Sequence, residues 1–123
     1  MILITGGCGY LGSHCALSLL QNKKEILIID NFSNSSPEVI DKINNKTKSI
    51  TKVYEGDIRD LSLLKKIFLE NKIQSVIHFA GLKSIQESYK IPKDYHSVNV
   101  EGTINLIQNM IEYNVKKIIF SSS

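Results

Sequence analysis

The residues best suited to chemistry lie at the start of the chain, in the run Thr5-Gly6-Gly7-Cys8-Gly9-Tyr10-Leu11-Gly12-Ser13. An apolar stretch ends at Thr5, and helical periodicity begins at once after the glycines. Gly6 and Gly9 would let the backbone turn sharply and approach a pyrophosphate with no Cβ in the way. Gly12 would let the following helix pack closely, and the free N–H groups of its first turn would point at the anion. The glycines also read as Gly7-x-Gly9-x-x-Gly12, so spacing alone leaves the register open. Asp30 adds weight, because it closes a second apolar run, Glu25-Ile-Leu-Ile-Ile-Asp30, 18 residues after Gly12. An acid there accepts hydrogen bonds from the ribose hydroxyls of an adenosine and repels a 2′-phosphate, which points to NAD rather than NADP. The competing reading is a glycine turn in an unrelated α/β protein, with Asp30 capping a strand end.

Strand and helix patterns alternate along the whole chain. Strands are expected near 2–5, 25–30, 50–55, 75–79 and 117–120. The first helix, near 10–21, would turn Gly12, Ala16, Leu19 and Leu20 to one face. Ser36-Pro37-Glu38 reads as a hydroxyl cap, a proline at the first helical position and an acid in the first turn, with Val39, Ile40 and Ile43 as the apolar face. Asp57 to Asp60 would cap the next helix, which carries Leu61, Leu64, Ile67 and Phe68. The strand at 50–55 alternates and is expected near a sheet edge; the one at 75–79 is expected to be buried on both faces. A long helix from about Pro92 to Glu112 would place Val100, Ile104, Ile107 and Ile111 at helical spacing. Short apolar strands separated by helices imply right-handed βαβ units: an α/β, Rossmann-type doubly wound parallel sheet of about five strands, in the order 3-2-1-4-5, within one domain spanning 1–123. Every segment of interest then falls at the carboxyl end of a strand.

At 123 residues the chain forms at most one domain. A hydrophobic content of 42% and a charged content of 22% fit a globular chain with a core. No apolar stretch approaches the roughly 20 residues that span a bilayer, and no signal peptide is visible, so no membrane association and a cytoplasmic location are expected. The net charge of +3 is spread over scattered lysines without a basic stripe, so no nucleic-acid partner is expected. Cys8 and Cys15 read as small packing residues rather than a disulfide, and no metal is expected.

Five segments together resemble the extended short-chain dehydrogenase/reductase family, and within it the sugar-nucleotide 4-epimerases. They are Thr5 to His14, Asp30 to Ser35, Glu55 to Arg59, His78 to Lys83 and Phe120 to Ser123. The resemblance covers the whole chain but only about the N-terminal third of such an enzyme. It implies that Tyr10 and Leu11 offer backbone N–H groups to the pyrophosphate, beside Gly6, Gly9 and Gly12. It implies that Asp30 holds the adenosine ribose, with Asn31, Phe32, Ser33, Asn34 and Ser35 wrapped around that end. Asp57 and Ile58 would border the adenine. Phe79, Ala80 and Gly81 would line the nicotinamide half, Lys83 would reach a ribose or phosphate, and Asn99 would support the site. These roles have plainer competitors, Asp57 as a helix cap and Lys83 as a solvated lysine; His78, mid-strand, reads as a hydrogen-bonded core histidine rather than a catalyst.

The activity that the resemblance implies is NAD-dependent interconversion of UDP-glucose and UDP-galactose, through transient oxidation at C4, as part of galactose metabolism. A tyrosine takes the hydroxyl proton, a serine shares it, and the cofactor carries the hydride. Ser123 matches the serine by position. The tyrosine and lysine of the family's Tyr-x-x-x-Lys pair lie further along; Tyr89 and Lys93 have the spacing but precede the long helix. The chain is therefore expected to be an N-terminal fragment, truncated after strand five, without the UDP-sugar domain and unable to epimerise alone. The complete protein would bind a UDP-sugar and could form a homodimer. Two further readings stand beside this one: part of a sugar-nucleotide dehydratase or reductase, or a dinucleotide-binding module without catalysis.

Overall fold

In a computed structural model, which describes residues 1–33, 35–79 and 100–121, the strand patterns become one parallel sheet. The elements are β1 (Ile2–Thr5), α1 (Tyr10–Gln21), β2 (Ile26–Asp30), α2 (Glu38–Thr47), β3 (Lys52–Glu55), α3 (Leu61–Glu70), β4 (Ser75–His78), α4 (Gly102–Glu112) and β5 (Lys117–Phe120). Strand order is β3-β2-β1-β4-β5, every neighbouring pair being parallel. Ile4 lies opposite Ile28 on one side and Ile77 on the other, and Thr5 opposite His78.

Alternation along β1 and β2 divides the apolar residues between two cores. Leu3, Leu27, Ile29 and Val76 face α3 and α4, where Leu64, Ile67, Phe68, Leu106 and Met110 meet them. Ile4, Ile26 and Ile28 face α1 and α2, where Ala16, Ile40 and Ile43 close the other side. A strand covered on both faces needs an unbroken apolar run, which is why Ile-Leu-Ile-Ile stands at β2. Edge strand β3 has only half-buried or exposed residues, in keeping with its alternating pattern.

Helix boundaries follow local chemistry. Asp60 accepts the Leu63 N–H at 3.1 Å and caps α3, so Asp57 is released from that task. The Ser36 hydroxyl accepts the Glu38 N–H at 3.3 Å at the start of α2. Lys48 ends α2 in the left-handed region at φ 54°.

Four expectations need correction. β3 begins at Lys52 rather than Ile50, because the Thr51 backbone and hydroxyl are taken by Asn44 Oδ1 at 3.0 and 2.7 Å. Leu61 is exposed and Leu63 takes its place against the core. β4 is not buried on both faces: Val76 and His78 are buried, Ser75 and Ile77 only half so. The fourth correction is the largest. Of the expected stripe on α4, Ile104 is 48% and Ile111 74% exposed, while Gly102, Leu106, Asn109 and Met110 face inward. Two rows at helical spacing compete on that helix, and the one with the small residue wins. A Cβ at Gly102 would come within 2.5 Å of Ile58 Cγ1, so the glycine sets how closely the helix approaches. The part of that long helix expected from Pro92 to Asn99 lies outside the described residues.

This assignment of faces predicts unequal costs for similar truncations on α4. Leu106→Ala should destabilise the fold by about 2–5 kcal/mol, and Ile104→Ala by about 0.5 kcal/mol or less, as read from urea denaturation midpoints.

Candidate functional site

The turn between β1 and α1 is the centre of the site. Gly6 has φ 68°, a left-handed backbone that side chains disfavour, and its N–H donates to Ile29 O at 2.8 Å. Gly12 cannot carry a side chain either: a Cβ would come within 2.2 Å of Gly6 O and 2.9 Å of Gly7 Cα, both main-chain atoms. Gly9 is different. Its φ of −72° and ψ of 178° suit any residue, and an added Cβ would meet only Gly6 O, at an ordinary 3.4 Å. Gly9 closes the turn as expected, its N–H donating to Gly6 O at 3.2 Å, but nothing in the fold requires a glycine at this position. Its missing side chain leaves space at the start of α1 where a ligand could approach.

No side chain caps α1. Ser13 N–H is the first of the helix to reach back, donating to Gly9 O at 2.8 Å. The N–H groups of Tyr10 and Leu11, ahead of it, belong to the first turn and have no partner within the helix. Both side chains point to solvent, at 78% and 53% exposure. A helix start with free amides, a positive dipole end and no side-chain cap is suited to an anion.

Asp30 joins this turn to the next loop. It is buried, and its Oδ2 accepts the Cys8 N–H at 2.9 Å. Its Oδ1 accepts the Phe32 N–H at 2.8 Å and the Ser35 hydroxyl at 3.3 Å. A carboxylate offers about four lone-pair positions, so these three bonds restrict what Asp30 can offer a ribose diol unless Ser35 yields. The strand-end cap and the candidate ligand contact are therefore one residue. Phe32 follows at φ 58°, unusual for an aromatic residue; its amide is held by Asp30 and its ring packs against the α1–α2 core. Asn31 Oδ1 accepts the Ser33 N–H at 3.0 Å, and Asn31 Nδ2 lies 3.5 Å from Asp57 Oδ2.

Asp57 lies two residues past the end of β3, whose last residue, Glu55, is the register partner of Asp30. Its Oδ1 accepts from Arg59 N at 2.9 Å and Nε at 3.1 Å, and its Oδ2 from Arg59 Nη2 at 2.8 Å. Partial burial pushes its carboxyl up, but the Arg59 hydrogen bonds and charge, with Asn31, outweigh that and hold it below the usual carboxylate value. Ile58 is buried, its side chain against Gly102. Phe79 donates its N–H to Thr5 O at 2.9 Å, and its ring packs on the same core as Phe32.

Cys8 sits inside the turn with its thiol pushed up to about 12, first by burial and then by the Asp30 charge. It stays a thiol at neutral pH and packs in the core facing α1 and α2; burial also raises the Cys15 thiol, and both cysteines are free. Among the described residues no cluster of three His, Cys, Asp or Glu could hold a metal. No helix among them is long and apolar enough to cross a membrane. Asn34, Ala80, Gly81, Lys83, Asn99 and Ser123 lie outside the described residues, as do Tyr89 and Lys93.

Three residues that sequence reasoning left unassigned hold these loops in place. Asn105 Nδ2 donates to Arg59 O at 3.1 Å, with Ile58 O at 3.5 Å. Thr103 and Thr5 flank His78, one on each ring nitrogen. The parallel register, which sets Thr5 against His78, was the available signal; nothing near Asn105 in the sequence marks its role.

Comparison with known proteins gives a consistent result. The family model described as GDP-mannose 4,6 dehydratase matches residues 3–123. A UDP-glucose 4-epimerase of Haemophilus influenzae is 51% identical over 122 residues, covering 99% of this chain and 36% of the relative. A crystal structure of the UDP-glucose 4-epimerase from Bifidobacterium longum, in complex with NAD+ and UDP, superposes with a TM-score of 0.97 at 43% identity, over 99% of this chain and 36% of that one. The enzyme from Stenotrophomonas maltophila, solved with NAD and formylated UDP-arabinopyranose, gives 0.95 at 38% identity, over 99% and 36%. The chain thus spans about 36% of the length of these relatives.

Two measurements check the geometry of the site. Gly12→Ala should destabilise the chain by about 1–3 kcal/mol or more, because backbone must move, while Gly9→Ala stays within about 0.5 kcal/mol of the parent in thermal melts. In an NMR titration the Asp57 carboxyl should rise toward the ordinary value when Arg59→Ala removes its partner. Because the folded-state value is depressed, the associated stability is present above about pH 4 and is lost as pH falls through the folded value; Arg59→Ala should flatten that acid limb.

Proposed function

The chain belongs to the family described as GDP-mannose 4,6 dehydratase, and from that premise we propose that these residues form the NAD-binding part of a UDP-glucose 4-epimerase. The observation that carries the reading is an uncapped helix start beside a buried carboxylate, Asp30, which lies 2.9 Å from the amide of Cys8 in the same turn. The residues present fit a dinucleotide: free first-turn amides for a diphosphate, an acid for a ribose, and open space at Gly9 where a Cβ would intrude. The two solved structures named above, one with NAD+ and one with NAD, support the choice of cofactor.

In this reading the amides of Tyr10 and Leu11 hold the diphosphate, with Gly6, Gly9 and Gly12 shaping the approach. Asp30 accepts from a ribose hydroxyl, Ser35 giving way, and its charge disfavours a 2′-phosphate. Asn31, Phe32, Ser33 and Asn34 close the adenosine end, and Asp57 with the Ile58 backbone borders the base. Phe79, Ala80, Gly81, Lys83 and Asn99 serve the nicotinamide half. NAD, when bound, would supply the hydride acceptor and donor for C4 of the sugar. Ser123 would share the sugar hydroxyl proton. The tyrosine base and its lysine are not present in the required place within these 123 residues, so these residues alone would not turn over.

The whole protein would interconvert UDP-glucose and UDP-galactose in galactose metabolism, in the cytoplasm, as a homodimer. One observation favours a second reading, a sugar-nucleotide dehydratase on the same scaffold: the description of the matching family.

Calorimetric titration tests the cofactor assignment. The chain should bind NAD more tightly than NADP. Asp30→Asn, which keeps an acceptor for Cys8, should weaken NAD by roughly 10-fold and narrow the preference over NADP. Gly9→Ala should weaken NAD without lowering the melting temperature. A flat titration by folded wild-type chain, or an unchanged affinity in Asp30→Asn, refutes the assignment. Conversion of UDP-galactose by the 123-residue chain would refute the need for further residues.

A further inference from the structure

The imidazole of His78 joins three elements at the carboxyl edge of the sheet, and nothing in the reading above uses it. His78 is 5% exposed and Thr5 fully buried. Thr5 Oγ1 lies 2.5 Å from His78 Nδ1, and Thr103 Oγ1 2.9 Å from Nε2. Phe120, from β5, meets the ring edge-on at 5.4 Å between centroids. Both His78 and Thr5 share the parity of Val76 and Leu3, so they form the top layer of the core facing α3 and α4.

That layer sits between the two halves of the cleft. Thr5 is the last residue before Gly6, so it marks the phosphate turn at the middle of the sheet. The acids that serve an adenosine lie on one side: Asp30 ends β2, and Asp57 stands two residues past the end of β3. A dinucleotide crossing the turn must lay its second half over the ends of β4 and β5. His78 ends β4, and Phe79 follows it with an N–H donated to Thr5 O. Thr103 belongs to α4, whose neighbouring residues Gly102 and Asn105 contact Ile58 and Arg59 on the adenosine side. One helix is thereby tied to both halves of the cleft.

Packing alone does not call for these residue types. Apolar side chains would continue the Leu3–Val76 layer, and a buried hydroxyl or imidazole costs in desolvation about what its hydrogen bond returns. Direction is what the polar trio adds: an imidazole between two hydroxyls has one ring plane and one position. We infer that His78 is a positioning residue which, through Thr5 and Thr103, sets the nicotinamide side of the cleft relative to the phosphate turn. This rests on the dinucleotide reading above.

The test separates the two halves of the ligand. ADP carries the adenosine and diphosphate; NAD adds the second nucleoside. Thr103→Val keeps the shape of a half-buried side chain and removes only its hydroxyl; Thr103→Ser keeps the hydroxyl. Thr103→Val should weaken NAD roughly 3- to 10-fold while ADP stays within about 2-fold, and Thr103→Ser should restore NAD binding. An unchanged NAD affinity in Thr103→Val, an equal loss for ADP and NAD, or no rescue by serine would overturn the inference and leave the cofactor assignment standing. A wild-type chain that binds neither ligand would remove both.

Discussion

A single buried carboxylate holds the ligand-facing edge of this fold together. Asp30 ends the most buried strand of the sheet, and its two oxygens serve two segments, one accepting the amide of Cys8 in the glycine turn and the other the amide of Phe32 in the following loop. Charge-assisted bonds of this kind are stronger than neutral ones, and a buried anion without such donors would be costly. The turn and the loop therefore cannot move independently. The left-handed backbone of Phe32 and the open start of α1 both depend on that tie.

The second constraint comes from α4. Its inner row, Gly102, Leu106, Asn109 and Met110, packs over the sheet, and its first turns bond outward to the loops. Asn105 holds the carbonyls after Asp57, and Thr103 holds His78. The helix is a brace across the end of the sheet. Gly102 sets how near it stands, because any side chain there would meet Ile58. The Asp57–Arg59 pair is then aligned by three neighbours: Asn31 just after β2, the cap at Asp60 and Asn105 from α4.

Much of this was legible beforehand because it is local. Apolar runs of four or five residues, separated by helical periods, admit few arrangements other than a parallel sheet in the order found. The Asp60 cap, the Ser36 cap and the alternation at edge strand β3 are also readable from neighbours in the chain. What failed was the choice of face on α4. Val100, Ile104, Ile107 and Ile111 make as regular a row as the one that is buried, and periodicity reports a row without saying what covers it. Gly102, read as a point of close approach, was the available clue.

The residues themselves determined the order of the strands, the place of the turn and the presence of an acid at the end of β2, because each follows from side-chain pattern within a few turns of chain. Only the tertiary structure decided how those groups are spent. It showed that Asp30 is already bonded to two amides and a hydroxyl, that Gly9 is the glycine the fold does not need, and that His78 joins β1 to α4. Such facts depend on which residues of distant segments come within 3 Å or so of one another, a distance set by sheet register and helix packing and not by spacing along the chain.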